Sequence, residues 1–253
     1  MPMQDADTTQ PSRLIDHLIE LRSRLLRAVA GLMVVLLGLL PFAEKLYNQL
    51  AAPLIKKLPA GGHFIATEVA GGFFVPVKVA FFAALFVSAP WLLYQAWAFV
   101  APGLYQREKR LAMPLLASAV VLFYAGCAFA YFLVLPSVFG FLTRFTPEVV
   151  QMTPDLGKYV DFVLVIFLAF GASFELPVAL VILVLLGWVS PKQLSEWRGY
   201  AVVAIFVVAA IITPPDVVSQ LMLALPMMAL YEAGIIASRF VAPKPAAVEP
   251  PAE

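Results

Sequence analysis

Residues 162–187 read FVLVIFLAFGASFELPVALVILVLLG. The run carries one charge and is long enough to cross a membrane, for which about 20 apolar residues at 1.5 Å each suffice. Glu175 sits near its middle, two residues before Pro177. A central acidic residue costs roughly 2.5–3.5 kcal/mol on insertion scales, so a carboxyl at that depth is a functional candidate by default. The plain alternative is a structural carboxyl bonded across helices. Either way it wants a polar partner, and Ser173 and Gln220 are the candidates in the sequence.

The run is one of six apolar blocks, at 25–43, 73–97, 111–135, 162–187, 199–212 and 217–236. Of the 253 residues 62% are hydrophobic and 13% charged, against about 25% charged in soluble domains. The expected fold is therefore an all-α membrane protein with six transmembrane helices. The fifth block has only 14 uninterrupted apolar residues, or roughly 21 Å against a hydrocarbon core of about 30 Å. Between blocks five and six lies TPPD (213–216), where Pro214 and Pro215 break the helix and Asp216 can cap the next. Two short final spans joined by a tight hairpin are expected. Prolines 41, 76, 90, 114, 136, 177 and 226 fall in or beside spans, which predicts kinked helices leaving a concave groove.

Lys and Arg set the orientation. With the N-terminus cytoplasmic, inside segments hold eleven of them and outside segments five, which favours both ends inside. Lys78 lies within block two near its outer end, where it can snorkel outward. The expected organisation is a cytoplasmic amphipathic segment over 1–24, a six-span domain over 25–236 and a Pro/Ala-rich disordered tail over 237–253. No cleavable signal peptide is expected, and no internal repeat is visible. Net charge is +1, so nothing argues for nucleic acid. The single cysteine, Cys127, allows neither an intramolecular disulfide nor a cysteine metal cluster.

Two further stretches carry chemistry. In SRLIDHLIELRSRLLRA (12–28), Leu14, Leu18, Leu21 and Leu25 form one helical stripe, and Asp16, Glu20, Arg24 and Arg27 another. Glu20 and Arg24 are spaced to pair. The first inside loop, YQAWAFVAPGLYQREKR (94–110), sets Trp97, Phe99 and Tyr105 beside a Pro102-Gly103 break and places Glu108 among Arg107, Lys109 and Arg110. It reads as an aromatic belt with inside charges, or as a binding patch whose carboxylate grips a guanidinium through paired hydrogen bonds. Catalytic constellations are poor. His17 and His63 lie outside the spans on opposite faces, with no HExxH and no phosphate-binding glycine loop. An enzyme, a metal and a cofactor are not expected. Composition and topology leave a proton-coupled small-solute carrier, with Glu175 as relay, as the alternative to a receptor. A membrane-embedded hydrolase is disfavoured by the histidine positions.

Five stretches in order, HLIELRSRLL (17–26), FVAPGLYQREKR (99–110), FELP (174–177), LGWVSPKQL (186–194) and TPPDVVSQLMLALPMMALYE (213–232), resemble the TatC family of the bacterial twin-arginine protein translocase. The likeness covers roughly residues 13–236. It implies a signal-peptide receptor and translocase core in the cytoplasmic (inner) membrane, driven by the proton gradient. It further implies that Glu20 and Glu108 take the two signal arginines, that Phe99, Pro102, Leu104 and Tyr105 shape that site, and that Arg22 holds the N-terminal segment. Glu175 would project into the concave face, and Pro53 and Asp216 would shape the outer side. Spans five and six would offer docking surfaces to the single-span partners TatA and TatB, and Gln220 is a further polar residue within the membrane. Further TatC copies and the lipid bilayer complete the expected partners.

Overall fold

The computed structural model describes residues 9–55, 70–100, 112–145, 155–213 and 217–241. Within them the chain is helical: α1 Thr9–Leu39, a 3₁₀ turn Leu40–Phe42, α2 Ala43–Ile55, α3 Gly71–Val100, α4 Ala112–Phe129, a π-turn Ala130–Val134, α5 Leu135–Phe145, α6 Leu156–Phe174, α7 Leu176–Leu185, α8 Pro191–Glu196, α9 Arg198–Ile212 and α10 Val217–Val241. Five helical stretches are long and apolar enough to cross a membrane: His17–Leu50, Gly71–Val100, Ala112–Gly140, Gly157–Leu185 and Ser219–Val241. The fifth apolar block is α9, shorter at 15 residues. α10 reaches 25 residues, so of the two final helices only α9 is short. The sequence AGIIASRFV (233–241) carries the last helix past its apolar block, because Ser238 is buried and satisfies its hydroxyl on Ile235 O at 2.8 Å.

Local chemistry explains the breaks. Pro136 cannot donate to the helix ladder and would crowd the carbonyl four residues back. The π-turn at Ala130–Val134 widens the helix there. Pro177 opens α7 at the first turn, where its missing N–H costs little. The chain therefore bends at Glu175, which leaves α6 and enters α7 with φ −74° and ψ −12°. The α7 end is a Schellman motif: Gly187 has φ +71°, its N–H reaches Val184 O at 3.0 Å and the Trp188 N–H reaches Leu183 O at 3.1 Å. Ser190 then begins α8 with a capping box. Its hydroxyl takes the Gln193 N–H at 3.2 Å while Gln193 Oε1 takes the Ser190 N–H at 2.8 Å. These two devices account for LGWVSPKQL as a stop-and-restart.

α6 is the buried axis. Val160, Val163, Ile166 and Phe170 are almost fully enclosed, against Val75 and Val79 of α3, Val134 and Val138 beside the π-turn, and Leu223 and Ile235 of α10. A second cluster joins Trp97 of α3 to Ala119 of α4 and to Val178, Val181 and Leu185 of α7. Trp97 is thus a core residue and not part of an interfacial belt. α4 and α6 approach closely because Gly126 and Gly171 lack side chains. A Cβ at Gly126 would lie 2.5 Å from Phe170 O, and one at Gly171 would lie 2.8 Å from the Phe123 ring. Small residues permit such contact where lipid supplies no hydrophobic drive between helices.

Two acidic residues within spans, Asp161 and Glu232, find basic partners. Lys78 Nζ meets Asp161 Oδ1 at 2.6 Å, tying α3 to α6 where snorkelling was expected. Glu232 holds Arg198 through both carboxylate oxygens at 2.5 and 2.8 Å, joining α10 to the start of α9.

Candidate functional site

The site predicted around Glu20 lies where α1 runs beside α3. α1 continues unbroken from Thr9 through the amphipathic stretch into the first span. Its first turns therefore have a fixed direction relative to α3. Trp91 of α3 pins the pair, donating from Nε1 to Arg27 O at 3.0 Å and packing into the space left by Gly31. Nearer the helix ends, the His17 and Phe99 rings stack with centroids 4.3 Å apart. Phe99 is half-buried and Arg22 exposed.

Glu20 pairs with Arg24 as the spacing predicts. Both Nε and Nη2 of Arg24 donate to Glu20 Oε1, at 2.9 and 2.7 Å. The carboxylate stays one-third exposed. An acidic group that already accepts two guanidinium donors, with a stacked aromatic pair alongside, is a site suited to an arginine side chain. Pro102, Leu104, Tyr105 and Glu108 lie outside the described residues, so the structure brings Glu20 and Phe99 to one end of α1 and α3 and leaves the other four unplaced.

Beside this site a crevice of about 370 Å³ lies between α1 and α3, with Leu21, Leu25 and Phe99 among its walls and Arg24 on its lining. Gln95 also lines it. Gln95 is 4% exposed, and its Oε1 has no hydrogen-bond partner. The residue carries no charge and stands in an aromatic stretch, so nothing in the sequence singled it out. Its one signal is a buried amide at helical spacing from Phe99.

Glu175 sits at the α6–α7 bend with Oε1 buried and no partner. Neither sequence candidate serves it. Gln220 Nε2 donates to Phe206 O at 3.3 Å and so links α10 to α9. Ser173, two residues away, is buried. Pro53 falls in α2, with its side chain outside the described residues, and Asp216 lies outside them altogether. Among the described residues no group of three or more His, Cys, Asp or Glu could hold a metal ion.

Comparison with known proteins bears on the whole chain. The family model "Sec-independent protein translocase protein (TatC)" matches residues 16–226. The chain is 52% identical over 234 residues to the Sec-independent protein translocase protein TatC of Escherichia coli (strain K12), covering 92% of this chain and 90% of that one. It is 50% identical to that of Halothiobacillus neapolitanus, covering 92% of this chain and 64% of that longer protein. A crystal structure of the twin-arginine translocase receptor TatC superposes with a TM-score of 0.79 at 35% identity, covering 89% of this chain and 99% of that one. Its spanning helices and these relatives make it a multi-pass membrane protein. On this evidence the chain belongs to the TatC family of Sec-independent protein translocase proteins.

Proposed function

We propose that the chain is the signal-peptide receptor and core of a twin-arginine translocase in the bacterial inner membrane, exporting folded proteins at the expense of the proton gradient. Both termini are cytoplasmic and six spans cross the bilayer. The observation that carries the reading is the Glu20 carboxylate, which holds the Arg24 guanidinium through two donors at the open end of α1. Glu20 and Glu108 form a bipartite clamp for the paired arginines of the signal. Phe99, Pro102, Leu104 and Tyr105 shape it, and Arg22 keeps the N-terminal segment in place. Arginine is preferred to lysine because its planar fork matches a carboxylate. A charge-assisted hydrogen bond contributes about 1.5–3 kcal/mol, so losing one carboxylate cuts affinity about ten- to a hundredfold.

Glu175 keeps part of the groove polar and hydrated at depth, and its buried, unpartnered oxygen supports this. Pro53 and Asp216 shape the outer side. α9 and α10, latched by Gln220, receive the single-span partners TatA and TatB, and further TatC copies complete the assembly. No cofactor is required.

Binding of a synthetic twin-arginine signal peptide to the purified protein, against the same peptide carrying two lysines, tests the clamp. Wild type should prefer the arginine peptide, and Glu108→Gln and Glu20→Gln should lose the preference. Equal binding of both peptides by wild type removes the receptor reading. The lone Glu175 oxygen would then favour a proton-coupled solute carrier, which liposomes containing this chain alone would reveal as solute flux.

A further inference from the structure

We propose that a crevice between α7, α8 and α9 binds one anionic phospholipid, with an acyl chain in the crevice and the phosphate beside Arg239. The inference does not depend on the receptor reading. It needs only that the chain lies in a membrane, as its spanning helices and its relatives show. The crevice has a volume of about 470 Å³ and is walled by Leu180 and Leu183 of α7, Leu194 of α8, Ala201 and Ala204 of α9, and Tyr231 of α10. Ala201 and Ala204 lie about one turn apart, and their small side chains leave the hollow. The Tyr231 hydroxyl is spent on Leu194 O at 2.8 Å, so the tyrosine offers the crevice its ring. Walls of this kind ask for no hydrogen bond, and an acyl chain fits them.

The mouth lies at the membrane surface. α8 follows the spanning stretch Gly157–Leu185, and Trp188 and Trp197 on either side of it are exposed, as tryptophans at headgroup depth are. Trp197 and Tyr200 border the crevice, and their N–H and O–H groups suit lipid ester oxygens. The charges near the mouth are Lys192, Arg198, Arg239, Glu196 and Glu232. Arg198 and Glu232 hold each other. Arg239 is exposed and donates from Nη2 to the neutral hydroxyl of Ser195, next to Leu194 of the wall, at 3.2 Å. No carboxylate among the described residues pairs with it, so the balance is positive and complements a phosphate headgroup. The short α9 gives a lipid a further reason to stay. Its 15 residues reach roughly 22 Å against a hydrocarbon core of about 30 Å, and a bound lipid covers that mismatch. A partner helix fits less well. One helical turn, about 10 Å across and about 5.4 Å long, fills roughly 420 Å³, so the crevice takes about one turn of the roughly six that a span needs.

The test uses the full chain in detergent micelles, titrated with phosphatidylglycerol or with phosphatidylcholine of the same acyl chains, and native mass spectrometry counts the lipids bound. Wild type should hold one phosphatidylglycerol about fivefold more tightly than phosphatidylcholine, the effect of about one basic residue at a membrane surface. Arg239→Gln should lower phosphatidylglycerol to the phosphatidylcholine level, and Arg239→Lys should keep most of the preference. Ala204→Leu fills the crevice and should weaken both lipids about fivefold or more. Ala204 is exposed, so this variant should unfold without lipid at the wild-type temperature, which separates loss of the site from loss of the fold. Lys78→Gln, which removes a cation from a different helix pair, should bind both lipids as wild type does. Equal affinity of wild type for the two lipids overturns the inference, as does unchanged lipid binding by Ala204→Leu, or a loss in Lys78→Gln equal to that in Arg239→Gln. A single-span TatA or TatB helix that wild type captures and Ala204→Leu does not, with lipid binding unchanged, would assign the crevice to a partner helix instead. No signal peptide takes part in these measurements, so the receptor reading stands or falls separately.

Discussion

The contact of α4 with α6 and the contact of α1 with α3 begin alike and end differently. Each is set by a glycine facing aromatic bulk: Gly126 and Gly171 against Phe170, Phe174 and Phe123 in the first, Gly31 against Trp91 in the second. In the first, side chains close every gap around Phe170, which is 1% exposed. In the second, the fit at Trp91 gives way within a turn to a crevice with one unsatisfied amide. The packed contact fixes the frame. The open one leaves polar and apolar surface together at the end of the helix pair, where a peptide could be read.

The largest expected effect breaks the first contact. Gly126→Leu would drive a side chain into the α6 backbone, and we expect a loss of about 3 kcal/mol or more. Gly38→Leu is the control. No atom lies within 4 Å of a Cβ there, so stability should hold or rise slightly through helix propensity. Thermal unfolding in micelles measures both, and equal losses at the two positions would show that glycine spacing does not set the frame.

Glu175 breaks the rule that packed regions are satisfied. Removing a buried unsatisfied group recovers about 1–3 kcal/mol, so Glu175→Leu should unfold at a higher temperature while export of a twin-arginine cargo falls. A variant that loses both stability and export would make the carboxyl a structural tie. One that exports normally would sink the hydrated-groove role.

Between these extremes stands Lys78–Asp161. Both side chains are about half exposed, and pairs of this kind contribute about 0.5–1 kcal/mol. A double-mutant cycle of Lys78→Gln and Asp161→Asn should give a coupling in that range. Zero coupling would return Lys78 to simple snorkelling.

The helices were legible in the sequence because lipid forces a long apolar run to satisfy its own backbone. Glu20–Arg24 was legible because spacing along one helix fixes it. Pairings between helices were not. Lys78 and Asp161 are 83 residues apart, and no periodicity brings them together. The length of α10 was underestimated because Ser238 and Arg239 interrupt the apolar pattern without interrupting the helix. Trp97 read as a belt residue because an aromatic near a loop fits an interface equally well; only packing against α4 and α7 decides. Gln95 was silent for a different reason, since an unsatisfied group is defined by its neighbours.

The smallest effect bears most directly on how the open contact works. Arg24 occupies one oxygen of Glu20, so on the proposed receptor reading a signal guanidinium must share the carboxylate with it or displace it. An i,i+4 pair of this kind contributes about 0.2–0.5 kcal/mol in an isolated helix, and releasing it should tighten binding about 1.5- to twofold. Arg24→Gln therefore should bind the arginine peptide slightly better, with the largest gain at low salt, where the lost repulsion between Arg24 and the peptide is least screened. The opposite sign carries equal information. If Arg24→Gln binds several-fold worse, Arg24 is not a competitor but the group that holds Glu20 in place. The guanidinium it presents would then belong to the site's frame, alongside Trp91 and Gly31, and the boundary between the fixed and the receptive parts of the α1–α3 contact would move one turn toward the end of the helix.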